Sequence, residues 1–404
     1  MNKLSITLWL IGLVVATACH DKEEPLSTES LADEQLVRAL VAAETTEEAQ
    51  SLWAQLQAEE ELPYTFDDSV YFFYEGNAQS VSWNGDFNGW GGNQSFKNKG
   101  TQISESAIWY LKSSFPSNAR LDYKIVVDGQ WITDSLNPHY QWTGVGGGQP
   151  NSELRMPDWN ASEWIAGDAS NKGTLNAPTA LSSTHLGYTV NYRVYTPHGY
   201  TPDSQYPSLY VTDGHEYADD RLGAMINILD NLIEAGKIEP LVVIFIDPRE
   251  VGNPGNNRRV DELPMKPTFA AFVAEELLPA AEADYSLSAA ANQRGIMGTS
   301  LGGLFASYLH TQYPESFGLL AIQSPAYWYK PEIFNAVSNI TSLPQRVSIT
   351  TGVINDTQAK ASEMNELYQS LIGTTQYIEV NEGHSWGNWK ALIDDQLIYL
   401  FPVE

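Results

Sequence analysis

The chain has 404 residues, of which 43% are hydrophobic and 11% aromatic, enough to build two domains with real cores and too apolar for a disordered chain. Its 22 basic and 50 acidic side chains give a formal charge of −28, which repels nucleic acid and anionic lipid surfaces. Nucleic acid is thereby set aside as a partner.

Residues 1–19, MNKLSITLWLIGLVVATAC, carry a cationic start at Lys3, an apolar run from Leu8 to Val15 and small residues ahead of Cys19. This is the form of a secretory signal, too short and wrongly flanked for a spanning helix. Cys19 is the single cysteine, so neither a disulfide nor a thiolate metal cluster is available. It is either a chance residue of a cleaved peptide or a lipidation site, because ATAC resembles a bacterial lipobox in which the cysteine is acylated and becomes the mature N-terminus. The second reading implies a protein of the cell envelope, periplasmic or surface-exposed, that meets the membrane through a lipid anchor only.

Residues 20–63 are rich in Glu, Ala and Leu, with apolar positions at Leu36, Val37, Leu40, Val41, Leu52, Trp53 and Leu56 spaced for one or two amphipathic helices. They are expected to form a loosely packed spacer. Residues 64–158 change texture to aromatic and β-branched runs such as SVYFFYEG and LDYKIVVDGQWITD, broken by Asn-Gly and Asp-Gly pairs. Short antiparallel strands joined by tight turns, hence a small β-sandwich, are predicted. At GDFNGW and YKIVVDGQW the region resembles the immunoglobulin-like glycogen-binding modules of carbohydrate-binding family 48. The resemblance places glucan contacts on Trp90, Lys124, Trp131 and Asn151, where indole faces stack on sugar C–H surfaces and polar groups meet hydroxyls. The alternative is a packing module in which Trp90 and Trp131 cover a core edge.

After a linker of small and polar residues, positions 173–404 alternate strand-like runs (VNYRVYTP, YPSLYVTDG, LVVIFIDP, QRGIMGTS, RVSITTGV, TQYIEVNEG) with helical ones. That order predicts a mostly parallel sheet covered by helices, the α/β-hydrolase arrangement. In Gly298-Thr299-Ser300-Leu301-Gly302 a strand must turn sharply into a helix, and the flanking glycines permit that approach without Cβ clashes. Ser300 is thereby lifted above the sheet as a nucleophile. The amide of Leu301, at the helix N-terminus, faces a developing oxyanion.

The fold orders its machinery as nucleophile, acid, histidine. Two histidines follow Ser300. His310 lies within the helix and is expected at the surface, whereas His384, in EVNEGHSWGNW between a strand and the last helix, is placed to act as the base. Asp356, a short loop after the strand RVSITTG, is the expected acid, while Glu363, Glu366, Glu379 and Glu382 read as helix faces or strand ends. The second oxyanion donor is sought at Gly214 or His215, after the strand YPSLYVTDG.

Taken together, YPSLYVTDG, RRVDEL, FVAEELLP, GTSLGGLFASYLHTQYPESFG and EGHSWGNWK resemble the enterochelin esterase family, related to esterase D and to feruloyl and acetyl-xylan esterases. The resemblance covers nearly all of 173–401. It implies a serine carboxylesterase with no metal and no organic cofactor. Arg259 and Glu262 fall on the family's R-x-x-E-L element, where they contact substrate or form a structural ion pair, and Trp386 joins them as a candidate substrate contact. Three functions follow: an esterase of catecholate siderophore esters, a carbohydrate esterase removing feruloyl or acetyl groups from polysaccharide, or a non-catalytic glycan-binding lipoprotein. Ferric catecholates are anionic, so the first requires Arg249, Arg258 and Arg259 to create a local basic patch on an acidic protein.

Overall fold

The computed structural model describes residues 28–93, 95–144 and 149–403. Cys19 and the secretory-type leader lie outside the described residues. Among those described, no helix is long and apolar enough to cross a membrane.

Two helices, Thr28–Val41 and Thr46–Glu59, open the described chain. They are not the loose spacer expected. Val37, Leu40, Ala49, Trp53 and Leu56 are buried in one cluster with Tyr64, Tyr71, Phe73, Ile103 and Ile108 of the following domain. The indole N–H of Trp53 also donates to Glu75 at 2.9 Å. The spaced apolar positions therefore mark a docking face, which needs an apolar partner sheet and finds one in the strands that follow.

That domain is built from two antiparallel sheets. The first joins β1 (Tyr64–Phe66) and β2 (Ser69–Glu75) to two later strands. The second contains β3 (Val81–Gly85). β4 (Thr101–Gln102) and β5 (Ile108–Ser114) complete the first sheet in the order β1-β2-β5-β4. β6 (Arg120–Val127), β7 (Gln130–Ile132), β8 (Tyr140–Gln141) and β9 (Asn151–Arg155) complete the second, ordered β3-β6-β9-β8 with β7 on the edge of β6. Period-two alternation turns Phe72, Trp83, Leu111, Leu121, Tyr123 and Leu154 into one core between the sheets. Trp83, with no exposed surface, and Trp109 lie in that core, whereas Trp90 and Trp131 remain 36% and 49% exposed.

The larger domain carries one mixed sheet. Its strands are β10 (Thr174–Leu175), β11 (Thr179–Ser182), β12 (Thr189–Thr196), β13 (Ser208–Val211) and β14 (Val242–Asp247). A two-stranded hairpin outside the sheet, β15 (Arg249–Glu250) and β16 (Asn253–Asn257), precedes the rest: β17 (Arg294–Thr299), β18 (Leu319–Gln323), β19 (Arg346–Gly352) and β20 (Gln376–Val380). The path is β10-β12-β14-β13-β17-β18-β19-β20, with β11 paired to β12 and every pairing from β14 to β20 parallel. Side chains divide strictly by parity. Tyr210, Ile244 and Ile296 enter one core with Leu304, Phe305 and Tyr368, while Leu209, Val211, Val243 and Met297 enter the opposite core with Met225, Ile228 and Leu397.

Candidate active site

The strand β17 ends at Thr299, and the helix Leu301–Gln312 begins one residue after the serine. Ser300 itself is held at φ 57° and ψ −113°, a region that costs a side-chain-bearing residue energy and is retained because its neighbours fix it. Its N–H donates to Gln323 O at 2.9 Å, and its carbonyl accepts from Leu304 and Ala326 at 3.1 and 2.9 Å. The two glycines of the motif meet across the turn: a Cβ on Gly298 would lie 2.5 Å from the carbonyl carbon of Gly302, and 2.3 Å from Thr212 Oγ1. No larger residue fits at either position.

His384 Nε2 lies 3.0 Å from Ser300 Oγ, and its Nδ1 lies 2.6 Å from Asp356 Oδ1. Asp356 is wholly buried at its side chain. Burial alone would raise its pKa, but hydrogen bonds from His384, Ser324 and the Gly352 amide, with the imidazole's charge, hold it below the usual carboxylate value. The bonds are short, 2.6 Å from Ser324 Oγ and 2.7 Å from each of the Gly352 and Thr357 amides. An ionised carboxylate only accepts, so Nδ1 of His384 carries the hydrogen and Nε2 is left to accept from the serine. The ring packs edge-on against Trp389 at 4.9 Å between centroids.

The sequence-selected residues sort unevenly around this array. Leu301, as the first helical residue, has no carbonyl one turn back to serve, so its amide is free to face the serine's side. Gly214 and His215 begin the short helix Gly214–Tyr217 but line a neighbouring cavity of about 280 Å³ with Asp247 and Arg249, not the cavity that holds Ser300. The His215 ring is buried and held neutral, its pKa lowered to about 4 chiefly by desolvation. Glu262 is buried away from the serine, accepts from Tyr188 Oη at 2.6 Å, and is pushed up to about 7 by burial. Arg259 does reach the serine cavity, with the Nε–Nη2 edge of its guanidinium held by Asp213 at 3.0 and 3.1 Å. Trp386 lines the cavity with its N–H committed to Glu216 at 3.0 Å.

Three readings are corrected. His310 is not at the surface: the helix is buried along its whole inner length, and the ring sits between the carbonyls of Phe317 (2.7 Å) and Ser342 (3.1 Å). Glu382 is not an exposed strand end. It is 3% exposed, accepts from Trp159 at 3.0 Å and faces Arg120 of the β-sandwich. Nor do Arg249, Arg258 and Arg259 form an uncompensated basic patch, since they face Asp247, Glu250 and Asp213 respectively.

The cavity beside Ser300 measures about 450 Å³, and one wall comes from the sandwich through Asp86, Trp90, Asp122 and Asn151. Of the residues selected as glucan contacts, Trp90 and Asn151 thus line the cavity of the serine, while Lys124 and Trp131 lie outside its lining. Trp90 stacks on Trp131 with ring centroids 6.3 Å apart. Asn151 is buried, its amide donated to Asp122 at 3.0 Å, and Lys124 donates to the carbonyl of Gln149 at 3.4 Å. Sequence reasoning missed Asp86 and Asp122, which carry no local motif for a site formed between domains.

Residues 183–400, more than half of the chain, match the putative esterase family. The chain belongs to this family. Among curated relatives, this esterase is 29% identical to the iron(III) enterobactin esterase of Escherichia coli O6:H1 over 67% of this chain and 68% of that protein. It is 29% identical to the iron(III) enterobactin esterase of Dickeya dadantii over 55% of this chain, spanning about half (48%) of that protein. In fold it is similar to the enterobactin esterase of Shigella flexneri solved in the presence of enterobactin, with a TM-score of 0.69, 19% identity, and coverage of 87% of this chain and 97% of that one. The esterase is a carboxylic ester hydrolase with an α/β-hydrolase fold and an N-terminal β domain. Asp356→Asn is expected to lower kcat by roughly 10² to 10⁴ with KM little changed, because an amide stabilises the wrong imidazole tautomer; steady-state kinetics on a p-nitrophenyl ester check this.

Proposed function

We propose that this protein is a serine carboxylesterase working through an acyl-enzyme, with Ser300 as nucleophile, His384 as base and Asp356 as the orienting acid. The contiguous chain of contacts from Ser300 Oγ through His384 to Asp356 carries the reading. His384 Nε2 takes the serine proton as Oγ bonds to the ester carbonyl carbon. The oxyanion so formed is met by the amide of Leu301 at the helix N-terminus. The tetrahedral species collapses, the carbonyl re-forms and the alkoxide leaves with the proton from His384. Water then repeats the sequence on the acyl-serine, freeing the acid and restoring the serine.

The substrate class we propose is a siderophore ester of the enterobactin type, supported by the sequence and fold likeness just described. A second reading, a carbohydrate esterase of feruloyl or acetyl-xylan type, is favoured by one observation: the exposed Trp90–Trp131 stack abuts the cleft of the serine, while the nearby arginines are neutralised by carboxylates. We also propose that the enzyme is exported and held in the cell envelope through acylated Cys19.

Ser300→Ala should cut kcat by ~10⁴ or more with unchanged melting, tested on a panel of enterobactin, methyl ferulate, acetyl-xylan and p-nitrophenyl esters. A variant keeping a tenth of the activity would sink the nucleophile, and the preferred member of the panel decides the substrate class. Trp90→Ala is expected to raise KM for the preferred substrate by about fivefold to tenfold, the loss of one aromatic contact, without a fall in Tm. An unchanged KM removes the sandwich from substrate binding. Cys19→Ser should move the protein from the detergent to the aqueous phase in a phase-partition experiment, and equal partitioning of both forms would end the lipid-anchor proposal.

A further inference from the structure

The β-sandwich meets the hydrolase at the two loops that present His384 and Asp356. Arg120, the first residue of β6, donates its backbone N–H to Asn381 O at 3.2 Å. Its side chain then crosses the domain boundary, with Nη1 2.9 Å from Ser385 Oγ, while Nη2 lies 2.6 Å from Asp122 and 2.9 Å from Glu153. Ser385 occupies the N-cap of the helix Trp386–Ala391, where a serine ordinarily accepts from a helix amide; here it makes no such bond and accepts from Arg120 instead. A Cβ on Gly387 would stand 1.9 Å from Arg120 Cζ, so the helix lies flush on the guanidinium.

Asp86 makes the second grip. A Cβ on Gly383 would stand 2.2 Å from Asp86 Cγ, and the Asp86 carbonyl accepts from Asn355 Nδ2 at 2.7 Å. Asn355, at φ 51°, directly precedes Asp356. Residues on both sides of His384, and the residue before Asp356, are therefore seated on the sandwich.

We infer that Arg120 and Asp86 are positioning residues of the hydrolysis, through which the sandwich fixes the distances from His384 to Ser300 and to Asp356. The inference rests on the Ser300–His384–Asp356 reading above. Proton transfer requires the imidazole within hydrogen-bond reach of both partners, and a displacement of about 1 Å costs on the order of 10²-fold in rate. A loop exposed to water on its outer side does not supply that tolerance; a buried, multiply bonded guanidinium does.

Ser385→Ala in the full chain removes the hook and leaves the carboxylate pairs of Arg120 intact. The expected result is a kcat about tenfold or more lower, KM within twofold and Ser300 labelled correspondingly more slowly by a fluorophosphonate, alongside the lower Tm that an unmet guanidinium N–H brings. Ser385→Thr, which returns a hydroxyl, should restore both rates. Asn355→Gly, which keeps the left-handed backbone and deletes the amide, should reproduce the kcat loss through the second grip. Wild-type kcat and labelling rate in both Ser385→Ala and Asn355→Gly, or a change confined to KM or to Tm, overturns the inference. Residual activity in Ser300→Ala would instead overturn the reading beneath it, whatever Ser385→Ala does.

Discussion

A guanidinium removed from water costs several kcal/mol unless each of its N–H groups meets an anion or an acceptor. Arg120 has no exposed surface, and the arrangement of everything near the seam follows from that debt. Asp122 and Glu153 come from its own sheet, and Glu382 and Ser385 come from the hydrolase. Glu153 would be raised by burial but is held at about 2 by Arg120, whereas burial prevails at Glu382 and pushes it up to about 7. Asp86, wedged between Asp122 and Gly383, is also raised, first by burial and then by its acidic neighbour. One cation thus organises a carboxylate cluster drawn from two domains, a few residues from His384.

The elbow was legible in the sequence because its constraint is local: within five residues, glycine on each side of a serine meets a strand-to-helix turn, and the geometry demands it. The meeting of Asp356 and His384 with Ser300 was legible through chain order together with strand prediction. His310 was misread because helical periodicity says which residues share a face but not whether both faces are covered, and this helix is packed between the sheet and further helices. Glu382 and Arg120 were illegible for a different reason. Their meaning depends on a contact across more than 260 residues, and a charged residue in a strand ordinarily reads as a solvated position.

The cavity beside Ser300 inherits the same seam. The cleft beside Ser300 has hydrolase residues on one side and Trp90 on the other, so its width is a property of how the domains dock. The left-handed backbone of Trp90, at φ 57°, and the bond from its indole N–H to Asp86 at 3.2 Å fix the ring relative to the same carboxylate that seats Gly383. Trp90 and the loop of His384 are consequently coupled through one side chain, Asp86.

A small β-sandwich in front of an enzyme can be joined by no more than a tether and so be free to be exchanged. The glycines at 383 and 387 contradict that picture here. Their missing side chains are filled by Asp86 and Arg120, so the hydrolase surface is shaped as a mould of this particular sandwich. A foreign module would leave two holes beside the histidine loop, and a liberated hydrolase would turn a buried acidic residue, Glu382, out to solvent. The rim of the sandwich can therefore vary while its footprint on the hydrolase is fixed by Asp86 and Arg120.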